Sequence, residues 1–267
     1  MKDEKYPENL VQLFSEIDKL PSLPEVATTI IRLVNDPNSS ARDISKVITR
    51  DPATATQLLK LVNSAFYGLS QKVTNLNQAV SLVGYRRIKD LALSNSFFNI
   101  FDTRKMEKVF DIKEFWKFSV VAAGICREIG TFSGKEDLVE SLYVIGLLHD
   151  IGILPIMEHS PEEMQNVFED IREKDLTLAE AELEKFGYTH YLAGAWLTEK
   201  WKLPEIISES MAGLHEGIDT SVTASVRVAE AICNKIGLSP VYKKEGRLEK
   251  RTRSEERRVG KECATGC

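Results

Sequence analysis

Residues Ile48 to Gly68 read ITRDPATATQLLKLVNSAFYG, and the class of the fold turns on this stretch. Asp51 can accept a backbone N–H bond as an N-cap, and Pro52 falls at the first helical position, where its missing donor costs nothing. Ala55, Leu58, Leu59 and Val62 then recur at helical spacing, so a helix opens at Pro52 and presents one apolar face. It stops around Asn63-Ser64-Ala65-Phe66-Tyr67-Gly68, residues that favour caps and turns. Upstream, Leu10, Leu13, Phe14 and Ile17 repeat at helical spacing before the Pro21-Ser22-Leu23-Pro24 breaker. Val26, Ile30, Ile31, Leu33 and Val34 form the next stripe, ending at Asn35-Asp36-Pro37, and Ser40 with Asp43 resembles a capping pair. Downstream, Asn75 and Gln78 are placed as a capping box, Gly84 supplies a stop after Val80 and Val83, and a further helix runs from Arg86 through Ile88, Leu91 and Leu93 to Phe97 and Phe98. No window alternates apolar and polar residues between hairpin turns, so the chain reads as all-α.

From Glu114 the helices lengthen: Phe115 to Ile129, Leu138 to Ile151, Thr177 to Phe186, His190 to Lys200, Pro204 to His215 and Ser221 to Ile236. The joint near Asp102 to Ile112 has no Pro, Gly or Ser run, so two packed helical lobes are expected, 13–105 and 106–236, and not domains on a flexible linker.

With 267 residues, 43% of them hydrophobic, the chain can bury a substantial core. Its most apolar stretches, Ser119 to Cys126 and Leu142 to Leu148, fall short of the roughly 20 residues needed to cross a bilayer, so no membrane span is expected. The N-terminus mixes both charge signs and lacks the apolar core of a secretory signal, which points to a cytoplasmic protein. Cys126 and Cys233 sit far apart in apolar helical contexts and read as buried free thiols. Arg253 to Cys263, RSEERRVGKEC, reads as a translated sequencing-adapter oligonucleotide, so 253–267 is set aside as a non-native tail. The formal net charge of −5 leaves no footprint for non-specific nucleic-acid binding, and nucleic acid is not an expected partner.

Three segments together resemble the HDOD family: LPSLPEV at Leu20 to Val26, the Ile48 to Gly68 stretch, and LNQAVSLVGYRRIKDLAL at Leu76 to Leu93. The family-like residues here are Pro24, Asp51, Pro52, Asn63, Ser64 and Gly84, and caps, turns and close approaches account for them. LLHDIGIL, Leu147 to Leu154, is similar to the His-Asp step of the related HD hydrolase superfamily. The resemblance spans 13–236 as one HDOD domain and implies that the second lobe is an HD-like helical bundle. HD hydrolases bind metal through a His on one helix, the His-Asp pair on the next and an Asp on a late helix. Such ligands suit iron, manganese or magnesium, which polarise a phosphoryl oxygen and generate hydroxide from water.

On this chain the first of those histidines falls at Phe118, whose ring has no lone pair for a metal. The late Asp falls at Glu230, one methylene longer. His149, Asp150, His190 and His215 stand at positions that look like ligand positions in relatives, although Leu214 replaces one histidine of the pair seen in the HD-GYP branch, and His215-Glu216-Gly217-Ile218-Asp219 lacks the Gly-Tyr-Pro motif. Beside this stands a plainer account. His149 and Asp150 form a buried polar network, His190 is a surface residue next to a helix cap, His159 lies in a loop, and Trp116, Trp196 and Trp201 pack the core. No phosphate-binding glycine loop or nucleophile elbow occurs.

Intact motifs in the first lobe beside a broken ligand set in the second imply a non-catalytic bacterial signal-transduction module. It would act by binding a signalling protein or a nucleotide-type effector, with no cofactor expected. The alternative is a metal-dependent phosphohydrolase or phosphodiesterase with a rebuilt site holding iron, manganese or magnesium.

Overall fold

Fourteen α-helices and no strand make up the described part of the computed structural model. It describes residues 5–239 apart from 17–21, 35, 37, 65, 66, 68, 70, 99, 102–105, 107–109 and 175. The 253–267 tail, Ile17, Pro21, Asn35, Pro37, Ala65, Phe66 and Gly68, all invoked by the sequence reading, therefore lie outside the described residues. In chain order the helices are α1 (Glu8–Glu16), α2 (Glu25–Val34), α3 (Ala41–Arg50), α4 (Pro52–Val62), α5 (Leu76–Val83), α6 (Tyr85–Phe98), α7 (Ile112–Phe132), α8 (Val139–Leu148), α9 (Ile153–His159), α10 (Pro161–Lys174), α11 (Leu178–Phe186), α12 (His190–Lys200), α13 (Glu205–Glu216) and α14 (Ser221–Lys235).

Residues 21–101 form one compact unit, built from α2 to α6. Local chemistry sets its helix ends. Asp51 caps α4, accepting from the Ala53 amide at 3.1 Å and the Thr54 hydroxyl at 2.6 Å, with Pro52 at the first turn. That capped hydroxyl lets Thr54 join Leu58 and Val62 as the buried ridge of α4. Ala55 and Leu59, expected on the same face, are only partly covered. Asn63 closes α4: its amide donates to the Leu59 and Val73 carbonyls at 2.7 and 2.8 Å, and its oxygen accepts from the Val73 amide at 2.7 Å. Asn75 caps α5 by accepting from the Gln78 amide, but the Gln78 side chain reaches back to the Thr74 amide, at 3.1 Å, and not to Asn75, so the capping box is only half formed. Gly84 ends α5 at φ 94°, a conformation that side chains with a Cβ rarely adopt. Ile30, Ile31, Ile44, Ile48, Leu58, Ile88, Leu93 and Phe97 fill the core.

The second unit takes residues 102–267 together with 1–20. Leu13 and Phe14, expected to open the first lobe, thus belong with the later helices: the Phe14 ring stacks on Trp196 of α12 with centroids 3.9 Å apart. In the long apolar run from Val139 to His159, 94% of the most apolar 18-residue stretch is buried inside the protein. The sequence reading ends a helix at Ile151 and resumes at Thr177, so α9 and α10 are helices it does not assign. His159, expected in a loop, is the last residue of α9.

Candidate functional site

Four helices bring the candidate residues together in the second unit. His149 caps the C-terminus of α8 and Asp150 follows it, at 0% and 2% exposure. The turn after them is held against α12 by Gly152: a Cβ there would lie 2.0 Å from the His190 carbonyl oxygen and 2.5 Å from the Gly194 amide nitrogen. Only glycine permits that approach, and it carries Asp150 to the start of α12. On the other side Gly146 seats α8 on α7, since a Cβ would meet the Ala123 Cα at 2.8 Å.

The His149 ring is oriented by its Nδ1, which lies 2.8 Å from the Gly146 carbonyl and therefore carries the proton. Its Nε2 is buried without a hydrogen bond, and it faces Asp150 Oδ2 and Glu230 Oε1, each at 3.5 Å. Glu230 comes from α14, and its Oε1 also accepts a 2.7 Å bond from the Tyr191 hydroxyl of α12. Burial raises the Glu230 carboxyl above its ordinary range, against the pull of His149.

His190, expected near the surface, is 2% exposed, a correction with a clear cause. The carboxylate of Glu182, itself 0% exposed on α11, accepts from the His190 backbone amide at 2.9 Å and from its ring Nδ1 at 2.5 Å. The opposite nitrogen, Nε2, stands 3.0 Å from Asp150 Oδ1. Burial pulls His190 down, but the Glu182 and Asp150 carboxylates together outweigh it and hold the imidazole up to about 10.

Ligand atoms of His149, Asp150 and Glu230 all lie within 4.8 Å of one another. One nitrogen and two carboxylates, with a buried nitrogen lacking a partner, fit a divalent cation, whose bonds to such atoms run to about 2.0–2.2 Å. His190 joins this group through Asp150. His215 does not: its Nδ1 pairs with the Thr189 hydroxyl at 2.9 Å, and partial burial lowers its pKa. Phe118 of α7 is 1% exposed, with its ring centroid 5.7 Å from that of His149, so apolar carbon stands on the side from which α7 would supply a donor.

Sequence reasoning missed Glu182, Tyr191 and Gly152. Glu182 had a signal: it sits four residues after Leu178 and beside Ala181, a carboxylate on the apolar stripe of its helix. The Pro24, Asp51, Pro52, Asn63, Ser64 and Gly84 group lies in the other unit. Asp51, Pro52, Asn63 and Gly84 serve there as caps and stops.

The HDOD domain model matches residues 20–216. An uncharacterized protein of Treponema pallidum (strain Nichols) is 27% identical over 199 residues, 74% of this chain and 38% of that protein, so the chain spans well under half of its curated relative. Among solved structures, an HDOD domain protein of unknown function from Geobacter sulfurreducens superposes with TM-score 0.73 at 21% identity, covering 99% of this chain and 95% of its own. A candidate signal transduction protein from Marinobacter aquaeolei VT8 gives 0.74 at 19% identity, covering 95% and 59%. A candidate phosphohydrolase from Shewanella amazonensis SB2B gives 0.67 at 22%, covering 88% and 83%. At such identities the three show a shared fold. With the family model spanning most of its length, this chain belongs to the HDOD family.

Proposed function

We propose that this protein is a non-catalytic, cytoplasmic signal-transduction module that acts by binding a protein or small effector. One observation carries the reading. His149, Asp150 and Phe118 are exposed by 0%, 2% and 1%, and of the three clustered ligand residues only Glu230, its side chain 21% exposed, meets solvent, so the His-Asp pair that would do the chemistry offers a phosphoryl group little access. Catalysis needs a reacting atom within about 3 Å of its activating groups, and the burial of His149 and Asp150 opposes that approach. Glu182 and Asp150 instead hold His190 between α11 and the end of α8, and the Tyr191 hydroxyl joins α12 to Glu230 of α14, contacts that serve packing as well as chemistry.

The mutual approach of His149, Asp150 and Glu230 supports a second reading, a metal-dependent phosphohydrolase. A bound manganese, iron or magnesium would be held by those three residues and would supply Lewis acidity and an activated water. Metal analysis of the purified protein, with assays on cyclic dinucleotides, guanosine tetraphosphate and nucleoside monophosphates, separates the two. The regulatory reading expects no turnover with or without added metal. Turnover that His149→Ala abolishes would overturn it.

A further inference from the structure

In the 21–101 unit, Arg42, Lys46 and Arg50 stand four residues apart on α3. They form one ridge about 12 Å long at 1.5 Å per residue. With Ser45 and Thr49 beside them and Asn77 of α5 opposite, they line a groove of about 380 Å³. Of the three cations only Lys46 has a carboxylate partner, Asp43 at 3.2 Å. Asp43 is in turn engaged at the start of α3, accepting from the Ser40 amide and hydroxyl. Among the described residues, Arg42 and Arg50 have no ion pair, and the Ser45 hydroxyl and Asn77 amide no hydrogen bond. The chain as a whole is acidic, at −5, so this concentration of positive charge runs against its composition.

We propose that this groove binds a multiply phosphorylated anion of nucleotide size. Guanidinium groups offer paired N–H donors that match phosphate oxygens, and two of them on long side chains whose backbone positions are about 12 Å apart along α3, with an ammonium between, can turn toward separate phosphates of one molecule. Its volume falls in the range of about 300–1,000 Å³ usual for small-molecule sites and is far larger than a single phosphate needs. The Asn77 amide adds a donor and an acceptor of the kind that reads a base edge. An acidic peptide fits less well. Its carboxylates are spaced by the backbone and each carries a single charge, whereas a polyphosphate concentrates its charge on adjacent groups that match paired guanidinium donors. The assignment rests on the regulatory reading above and gives that reading its effector site.

The test is a fluorescence titration of the full chain with methylanthraniloyl-GTP, with inorganic pyrophosphate and a polyglutamate peptide as competitors. Saturable binding displaced by pyrophosphate is expected, weakened about tenfold by Arg42→Ala and by Arg50→Ala. Arg227→Ala, an arginine of the other unit paired with Asp219, should leave it unchanged. All three side chains project from helix surfaces, and matching thermal melts confirm that the variants fold. Absence of saturable binding would overturn the assignment, as would equal binding by all three variants or displacement by polyglutamate in preference to pyrophosphate. Hydrolysis of the probe is followed separately. Its appearance would remove the non-catalytic reading, while the arginine variants would still decide whether the groove is the binding site.

Discussion

Replacing Gly152 with alanine tests whether the turn after Asp150 is locked against α12. The glycine has φ −66°, a conformation open to any residue, so the penalty is steric alone. A Cβ would stand 2.0 Å from the His190 carbonyl oxygen and 2.5 Å from the Gly194 amide nitrogen, and both are backbone atoms that cannot rotate away. Restoring ordinary contact near 3.5 Å requires the turn and α12 to separate by more than about 1 Å. Overpacking of a rigid core costs about 1–3 kcal/mol, and a backbone clash sits at the upper end. For a unit of this size about 3 kcal/mol lowers the melting temperature by about 6–12 °C. Trp116, Trp196 and Trp201 all belong to this unit, so urea denaturation followed by tryptophan fluorescence reports it directly. Gly124 on α7 is the control: a Cβ there meets nothing within 4 Å, and Gly124→Ala should be neutral or stabilising by about 0.5–1 kcal/mol. Stability of Gly152→Ala within about 0.5 kcal/mol of the parent, the range of an ordinary surface substitution, would refute the locked turn.

Asn63→Ala removes three hydrogen bonds, two that pin residue 73 to the end of α4 and one to the Leu59 carbonyl, and should cost the 21–101 unit about 1–3 kcal/mol, read by chemical denaturation followed by circular dichroism. Because folding raises His190 from 6.5 to about 10, the proton it holds stabilises the native state fully below pH 6.5, and that contribution fades as the pH climbs to about 10. Denaturation midpoints across this window should fall, and Glu182→Gln should flatten the slope. An unchanged slope in that variant would show that Glu182 does not hold the proton. Burial raises the thiol of Cys126 and pushes that of Cys233 up to about 12, so peptide mapping after iodoacetamide at pH 8 should find both unmodified in the native protein and both alkylated in urea.

Much of the 21–101 unit is legible in the sequence because its punctuation is local. Asp51 and Pro52 open α4, Asn75 opens α5 and Gly84 closes it, each through atoms within a few residues. The second unit is read less well. α9 and α10 fall in the stretch from Ile151 to Thr177 to which the sequence reading assigns no helix, and the assignment of α1 depends on a ring stacked on Trp196. The site divides in the same way. His149, Asp150 and Glu230 were found through a family pattern, and their approach to within 4.8 Å follows it. His190 misled because residues beside a cap are usually exposed, and its burial depends on a carboxylate eight positions earlier that only the packing of α11 brings near. Gly152 carried no motif, since the need for glycine there arises from a backbone 38 residues away.

Glu182 matters most for how the buried carboxylates of the second unit are balanced. Burying the carboxylates of Asp150 and Glu182 is costly unless each meets a donor or a cation. His190 held protonated between them offsets that cost, since Glu182 takes its Nδ1 and Asp150 faces its Nε2. Glu230 is relieved differently, by the Tyr191 hydroxyl and a raised pKa that reduces its charge. The Phe118 ring beside His149 fills with carbon the side from which a further ligand would come. Each feature adds to the cohesion of α11, α12 and α14 with the end of α8.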